Sequence, residues 1–181
     1  MSDTAIALTE IETAAAASAL EVAGLVEPGP QDGLAEAGTL ALLSPAEPAF
    51  WARFTASAEY ADGAPDPLDR WSRRVIDALA EAFGATALYP FGGPPWHPFI
   101  GWAQRSGRAH VSPVGLMVHD RAGLFLSYRG ALALPARLPA QARPPAPCDG
   151  CAAPCLTTCP VGQGRRPAAQ SAFHMEAFAG G

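Results

Sequence analysis

The sequence predicts an α+β fold, a mixed body with antiparallel strands followed by a small cysteine module. Three observations predict it: a strongly periodic helix at 67–83, apolar runs of strand length at 39–43 and within 113–134, and four cysteines confined to residues 148–159. A chain of 181 residues has room for one domain with a real core plus an appendage. The expected organisation is a body over residues 1–134, a Pro/Ala-rich linker over 135–147, and a module over 148–181 holding the cysteines and a C-terminal helix.

Taken in order, residues 4–24 read as an amphipathic helix carrying Ile6, Leu8, Ile11, Leu20 and Val22 among alanines and stopping at Gly24. Gly29-Pro30-Gln-Asp-Gly33 has turn chemistry, and Thr39-Leu-Ala-Leu-Leu43 suits a buried strand. Ser44 and Pro45 then look like an N-cap and first helical position, opening a helix with Phe50, Trp51 and Phe54 on one face. The best helix follows a polar turn at 62–66. Leu68, Trp71, Val75, Ile76, Leu79 and Phe83 repeat at three and four, with Asp66 as cap and Gly84 as stop. Arg70, Arg73 and Arg74 beside its outer face are expected to be solvated charge.

Residues 87–100 place two glycines and two prolines among aromatics, which excludes a helix or central strand and predicts a rigid loop with an aromatic rim. Residues 113–134 read as two strands joined by a tight turn at Asp120–Gly123. After the linker and the cysteines, Arg165 to Phe178 could form a short helix bearing Phe173, Met175 and Phe178.

Composition removes several function classes. A formal charge of −5 makes nucleic acid an unexpected partner. All twelve basic residues are arginine, so neither a Schiff-base lysine nor a Walker A lysine is present. No apolar run approaches the roughly 20 residues of a membrane span. The acidic start Met-Ser-Asp-Thr predicts no secretory leader and hence a cytoplasmic location. In a reducing compartment, clustered cysteines serve more often as metal ligands or redox groups than as disulfides.

Cys148, Cys151, Cys155 and Cys159 have the spacing C-x2-C-x3-C-x3-C-P, one residue longer than the bacterial iron–sulfur run C-x2-C-x2-C-x3-C-P. Short intervals let a turning backbone bring successive thiolates around one cluster. Zinc is the rival, since four thiolates complete a tetrahedron, although structural zinc normally uses two separated knuckles. A redox dithiol is a third reading. The chain holds no remote cysteine, so Cys159 must either return to the same cluster or leave three ligands and a [3Fe–4S] or labile [4Fe–4S] centre. His174 is a possible substitute ligand, with His97, His110 and His119 in the body.

Glu47-Pro-Ala-Phe-Trp51, Asp62-Gly-Ala-Pro-Asp-Pro-Leu-Asp-Arg-Trp71, Tyr89-Pro-Phe-Gly-Gly-Pro-Pro95, Ser112-Pro-Val-Gly-Leu116, Ser127-Tyr-Arg-Gly130 and the cysteine run together resemble a family of bacterial 4Fe–4S ferredoxin-like proteins. That family is distantly similar to epoxyqueuosine reductase and the reductive dehalogenases. The resemblance implies a body like the nitroreductase-like cobalamin-binding fold, a ferredoxin-like module, one-electron transport, a redox partner protein, and the four cysteines as cluster ligands. It also implies an alternative, a cobalamin- or flavin-assisted reductase with Phe91 to Phe99 lining its pocket. The chain departs from the family in one respect: Cys159-Pro-Val-Gly162 runs directly into Arg165-Arg166 and Phe173-His174-Met175, without a second cysteine group.

Overall fold

The computed structural model describes residues 7–94 and 96–158. Helix α1 (Leu8–Ala16) leads into β1 (Leu20–Val26), a 3-10 turn at Pro30–Asp32, and β2 (Thr39–Pro45). Helices α2 (Ala49–Thr55), α3 (Ala58–Ala61) and α4 (Pro67–Ala82) follow, then β3 (Thr86–Leu88), α5 (Phe99–Arg105), β4 (Ala109–Val111), β5 (Met117–His119) and β6 (Gly130–Leu134). A short helix α6 spans Cys155–Thr158. The architecture is α+β: an antiparallel sheet in the order β1-β2-β6-β3 and a separate antiparallel pair β4-β5. Among the described residues no helix is long and apolar enough to cross a membrane.

The larger sheet is covered on both faces, which is why β2 and β6 are apolar at successive positions rather than at alternate ones. Ala41, Leu43, Leu132 and Leu134 point to one core, with Ile11 of α1, Phe50 and Phe54 of α2, and Trp71, Val75, Ile76 and Leu79 of α4. Leu40, Leu42, Ala131 and Ala133 point to the other, with Phe99 and Trp102 of α5. Registers Ala41↔Leu132 and Leu42↔Ala131 keep the two sets on their own sides.

In β1 the alternation is broken by a bulge: Val22 pairs with Leu43 but Gly24 pairs with Leu42, leaving Ala23 as the extra residue. Leu20, Val22 and Leu25 therefore all reach the first core, and Val26 reaches the second. The carbonyl of Ala23 accepts a hydrogen bond from His119 Nε2 at 2.9 Å. His119 is buried, and its Nδ1 accepts from the amides of Arg121 (3.3 Å) and Ala122 (3.1 Å), so Nε2 carries the proton.

Three local expectations change. The helix expected over 4–24 ends at Ala16; Ala19 takes φ 55, and Leu20 and Val22 lie in a strand. The alanine run favours a helix locally, but the apolar residues beyond it are buried by pairing with β2, and tertiary burial outweighs propensity. Ser44 is not a helix cap. It is buried inside β2, its hydroxyl donating to Glu21 Oε1 at 3.4 Å, and α2 begins only at Ala49. Nor do the two strands expected within 113–134 pair with each other. β5 pairs with β4, while β6 enters the larger sheet between β2 and β3, because Leu132 and Leu134 find their burial there. A single bridge, His119↔Gly123, marks the expected turn.

Helix α4 runs as the periodicity predicts, although Asp66 makes no side-chain cap bond. Its outer arginines are more constrained than solvated charge. Arg70 binds Asp62 at 2.7 Å and the carbonyls of Pro65 and Glu59; Arg74 binds Glu59; Arg73 lies over the rings of Tyr89 and Phe91. The Arg74 guanidinium holds the Glu59 carboxyl at about 2. Of the rim residues in the 87–100 segment, Phe99 is buried against Trp102, Phe91 sits between Arg73 and Arg129, and Trp96 is exposed. Buried Arg129 ties β6 to α4 by donating to Ser72 Oγ at 3.0 Å and to Asp69.

Asp32 holds the turn after β1 against α5. Its carboxylate accepts from Trp102 Nε1 (2.8 Å), Arg105 Nη2 (2.6 Å) and the Gly29 amide (2.7 Å). Burial alone would raise its pKa, but these donors outweigh burial and hold it at about 2.

Two outcomes follow for stability. Ile76→Ala should cost about 2–5 kcal/mol in urea unfolding, whereas exposed Ile100→Ala should cost less than about 0.5 kcal/mol; similar losses would contradict the layering. Because the folded pKa of Asp32 lies below its ordinary 3.8, its contribution is complete above that value and is lost as pH falls toward about 2. The unfolding midpoint of the wild type should therefore drop across that window more steeply than that of Asp32→Asn, and parallel pH profiles would refute the assignment.

Candidate metal centre

The chain leaves β6 at Leu134 and crosses the body before reaching the cysteines. Leu138 donates its amide to Thr39 Oγ1 at 2.9 Å, Arg137 pairs with Glu27, and Arg143 Nη2 donates to the Arg105 carbonyl at 3.3 Å. Residues 137–143 thus lie against the body rather than spanning open solvent.

Beyond it the backbone turns repeatedly. Asp149 N donates to Ala146 O at 2.8 Å and Cys151 N to Cys148 O at 3.2 Å; Leu156 N and Thr157 N then donate to Ala153 O and Pro154 O, both at 3.0 Å, at the start of α6. Gly150 (φ 73) and Ala153 (φ 51) are left-handed, one between the first two cysteines and one between the second and third. Gly150 adopts its conformation freely, whereas Ala153 holds one that costs an L-residue of order 1 kcal/mol.

Cys148 is half-buried, Cys151 and Cys155 are exposed, and all three are free thiols. The Ala153 amide donates to Cys151 Sγ at 3.4 Å. Among the described residues, no three His, Cys, Asp or Glu side chains are gathered closely enough to hold a metal ion. Cys159, His174 and the segment expected from the sequence to form a C-terminal helix lie outside the described residues. The donors fit an iron–sulfur cluster or zinc in kind: soft, unpaired sulfurs, accessible, on successive turns of a short loop.

The body histidines have other work. His119 is hydrogen-bonded as described above, and His97 stacks on Trp102 at 5.6 Å between ring centroids. His110 Nε2 and the Tyr128 hydroxyl are buried with no hydrogen-bond partner among the described residues, and burial pushes the Tyr128 phenol upward. The sequence places His110 among the body histidines and Tyr128 within Ser127-Tyr-Arg-Gly130, but only tertiary packing shows that these two polar atoms are isolated.

No protein-family model, curated protein or solved structure matches this chain.

The exposure of the thiols gives a direct check. In metal-free, reduced protein, alkylation monitored by mass spectrometry should modify Cys151 and Cys155 several times faster than Cys148. Fastest labelling at Cys148 would contradict this placement.

Proposed function

We propose that the chain is a cytoplasmic iron–sulfur protein that passes single electrons to or from a redox partner protein. The cluster is held by Cys148, Cys151, Cys155 and Cys159 in a ferredoxin-like module, on a body resembling the nitroreductase-like cobalamin-binding fold. What carries the reading is the confinement of all four cysteines to twelve residues, with three of them free thiols on consecutive turns. When bound, a cluster of this type supplies a one-electron couple.

The residues of the chain have separate roles. Cys148, Cys151 and Cys155 bind as thiolates, and Cys159 completes a [4Fe–4S] set or, if it does not bind, leaves a [3Fe–4S] one. The Ala153 amide offsets negative charge on Cys151. Gly150 and Ala153 set the reversals between the cysteines, whose sulfurs would converge on binding. Metal binding and ordering of such a loop are one equilibrium, so convergence of the donors is part of the binding free energy. A second reading, a cobalamin- or flavin-assisted reductase, is favoured by the unpartnered Tyr128 hydroxyl and His110 nitrogen within the body.

Protein purified without oxygen should contain about four irons and about four acid-labile sulfides per chain and show a broad visible band bleached by dithionite. Cys151→Ser should lose most of the iron while the unfolding midpoint of the body is retained. One tightly bound zinc per chain with no sulfide would overturn the cluster reading in favour of a structural zinc site, and retained corrin or flavin bands would favour the reductase.

A further inference from the structure

A cleft of about 280 Å³ lies where residues 137–143 cross the ends of β1 and β2 and the last turn of α5. Its size is just below the range of about 300–1,000 Å³ usual for small-molecule pockets. Arg105, Arg137 and Arg143 line it against a single carboxylate, Glu27. We propose that this cleft binds a small oxyanion, the phosphate or carboxylate end of a metabolite, with Arg143 as its principal ligand.

The charge arrangement singles out Arg143. Arg105 is neutralised by Asp32, whose carboxylate is fully buried and occupied by both guanidinium nitrogens at 3.2 and 2.6 Å. Arg137 and Glu27 cancel each other in an exposed pair. Arg143 has no carboxylate partner among the described residues; it gives one hydrogen bond, to the Arg105 carbonyl, and its other donors remain.

Arg143 is also held in place. Its side chain passes directly over Gly107, where an added Cβ would meet Arg143 Cγ at 2.7 Å and Cδ at 2.8 Å. Any side chain at position 107 would displace the Arg143 stem, and the φ of 73 there favours glycine. The backbone thus forms a cradle for the arginine stem, and a guanidinium positioned before the ligand arrives loses less freedom on binding.

This site is separate from the cysteine centre, and its test needs no cluster. Isothermal titration of the full chain at low ionic strength with inorganic phosphate in one arm and succinate in the other distinguishes the two ligand sources. Saturable binding of at least one probe is expected, weakening with added salt as screening predicts. Arg143→Ala should reduce that affinity about tenfold or more, the loss of one charge-assisted contact. Glu27→Gln should change it in the opposite direction, tightening binding by removing a repulsive carboxylate, a result that loss of folding cannot imitate. The proposal is overturned if neither probe binds at about 10 mM, above the range of ordinary metabolite affinities, if Arg143→Ala binds as the wild type does, or if Glu27→Gln fails to tighten binding.

Discussion

One additional residue in β1 decides which side chains reach which face of the sheet. Without the bulge at Ala23, Leu25 and Val26 would exchange faces, since side chains alternate strictly along a strand. The bulge also turns the Ala23 carbonyl out of the ladder on a strand that forms the edge of the sheet. An unpaired edge group invites pairing with another chain, and here His119 covers it. His119 can do so because Nδ1 is fixed by two amides of the following turn, which sets the tautomer. A bulge, a tautomer and a tight turn are therefore one device that joins the β4-β5 pair to the main sheet.

Burial on both faces explains which parts of the fold were legible in the sequence. α4 is amphipathic at its own period and β2 is a short apolar run, so each announces itself locally. β6 is equally apolar, but its partners β2 and β3 lie far from it in sequence, and a turn signal at Asp120–Gly123 suggests a nearer one. β1 is hidden by the alanine run before it, whose helical preference continues on paper past Ala19. Only the long-range pairing of Leu20–Val26 with β2 ends it.

The candidate centre was legible for a different reason. Cysteine spacing is local information, and the turns at Gly150 and Ala153 place the three described cysteines on consecutive reversals of one loop. The arginine cleft was not legible. Arg105, Arg137 and Arg143 become neighbours only when the segment after β6 folds back over α5, and the glycine that admits Arg143 has no signature distinguishing it from other turn glycines. The same holds for Asp32, whose three donors come from its own turn and from α5, some seventy residues away.

The crossing segment also acts as a tether. Arg143 precedes Cys148 by five residues, which at full extension span no more than about 18 Å. With Arg143 packed over Gly107, Cys148 lies within this distance of the cleft. Two sites joined by so short a chain meet at an effective concentration in the millimolar range or above, set by the length of the tether and not by how much protein surrounds them. Any group held at Cys148 and any anion held at Arg143 are thus first-order neighbours, and exchange between them would be insensitive to dilution.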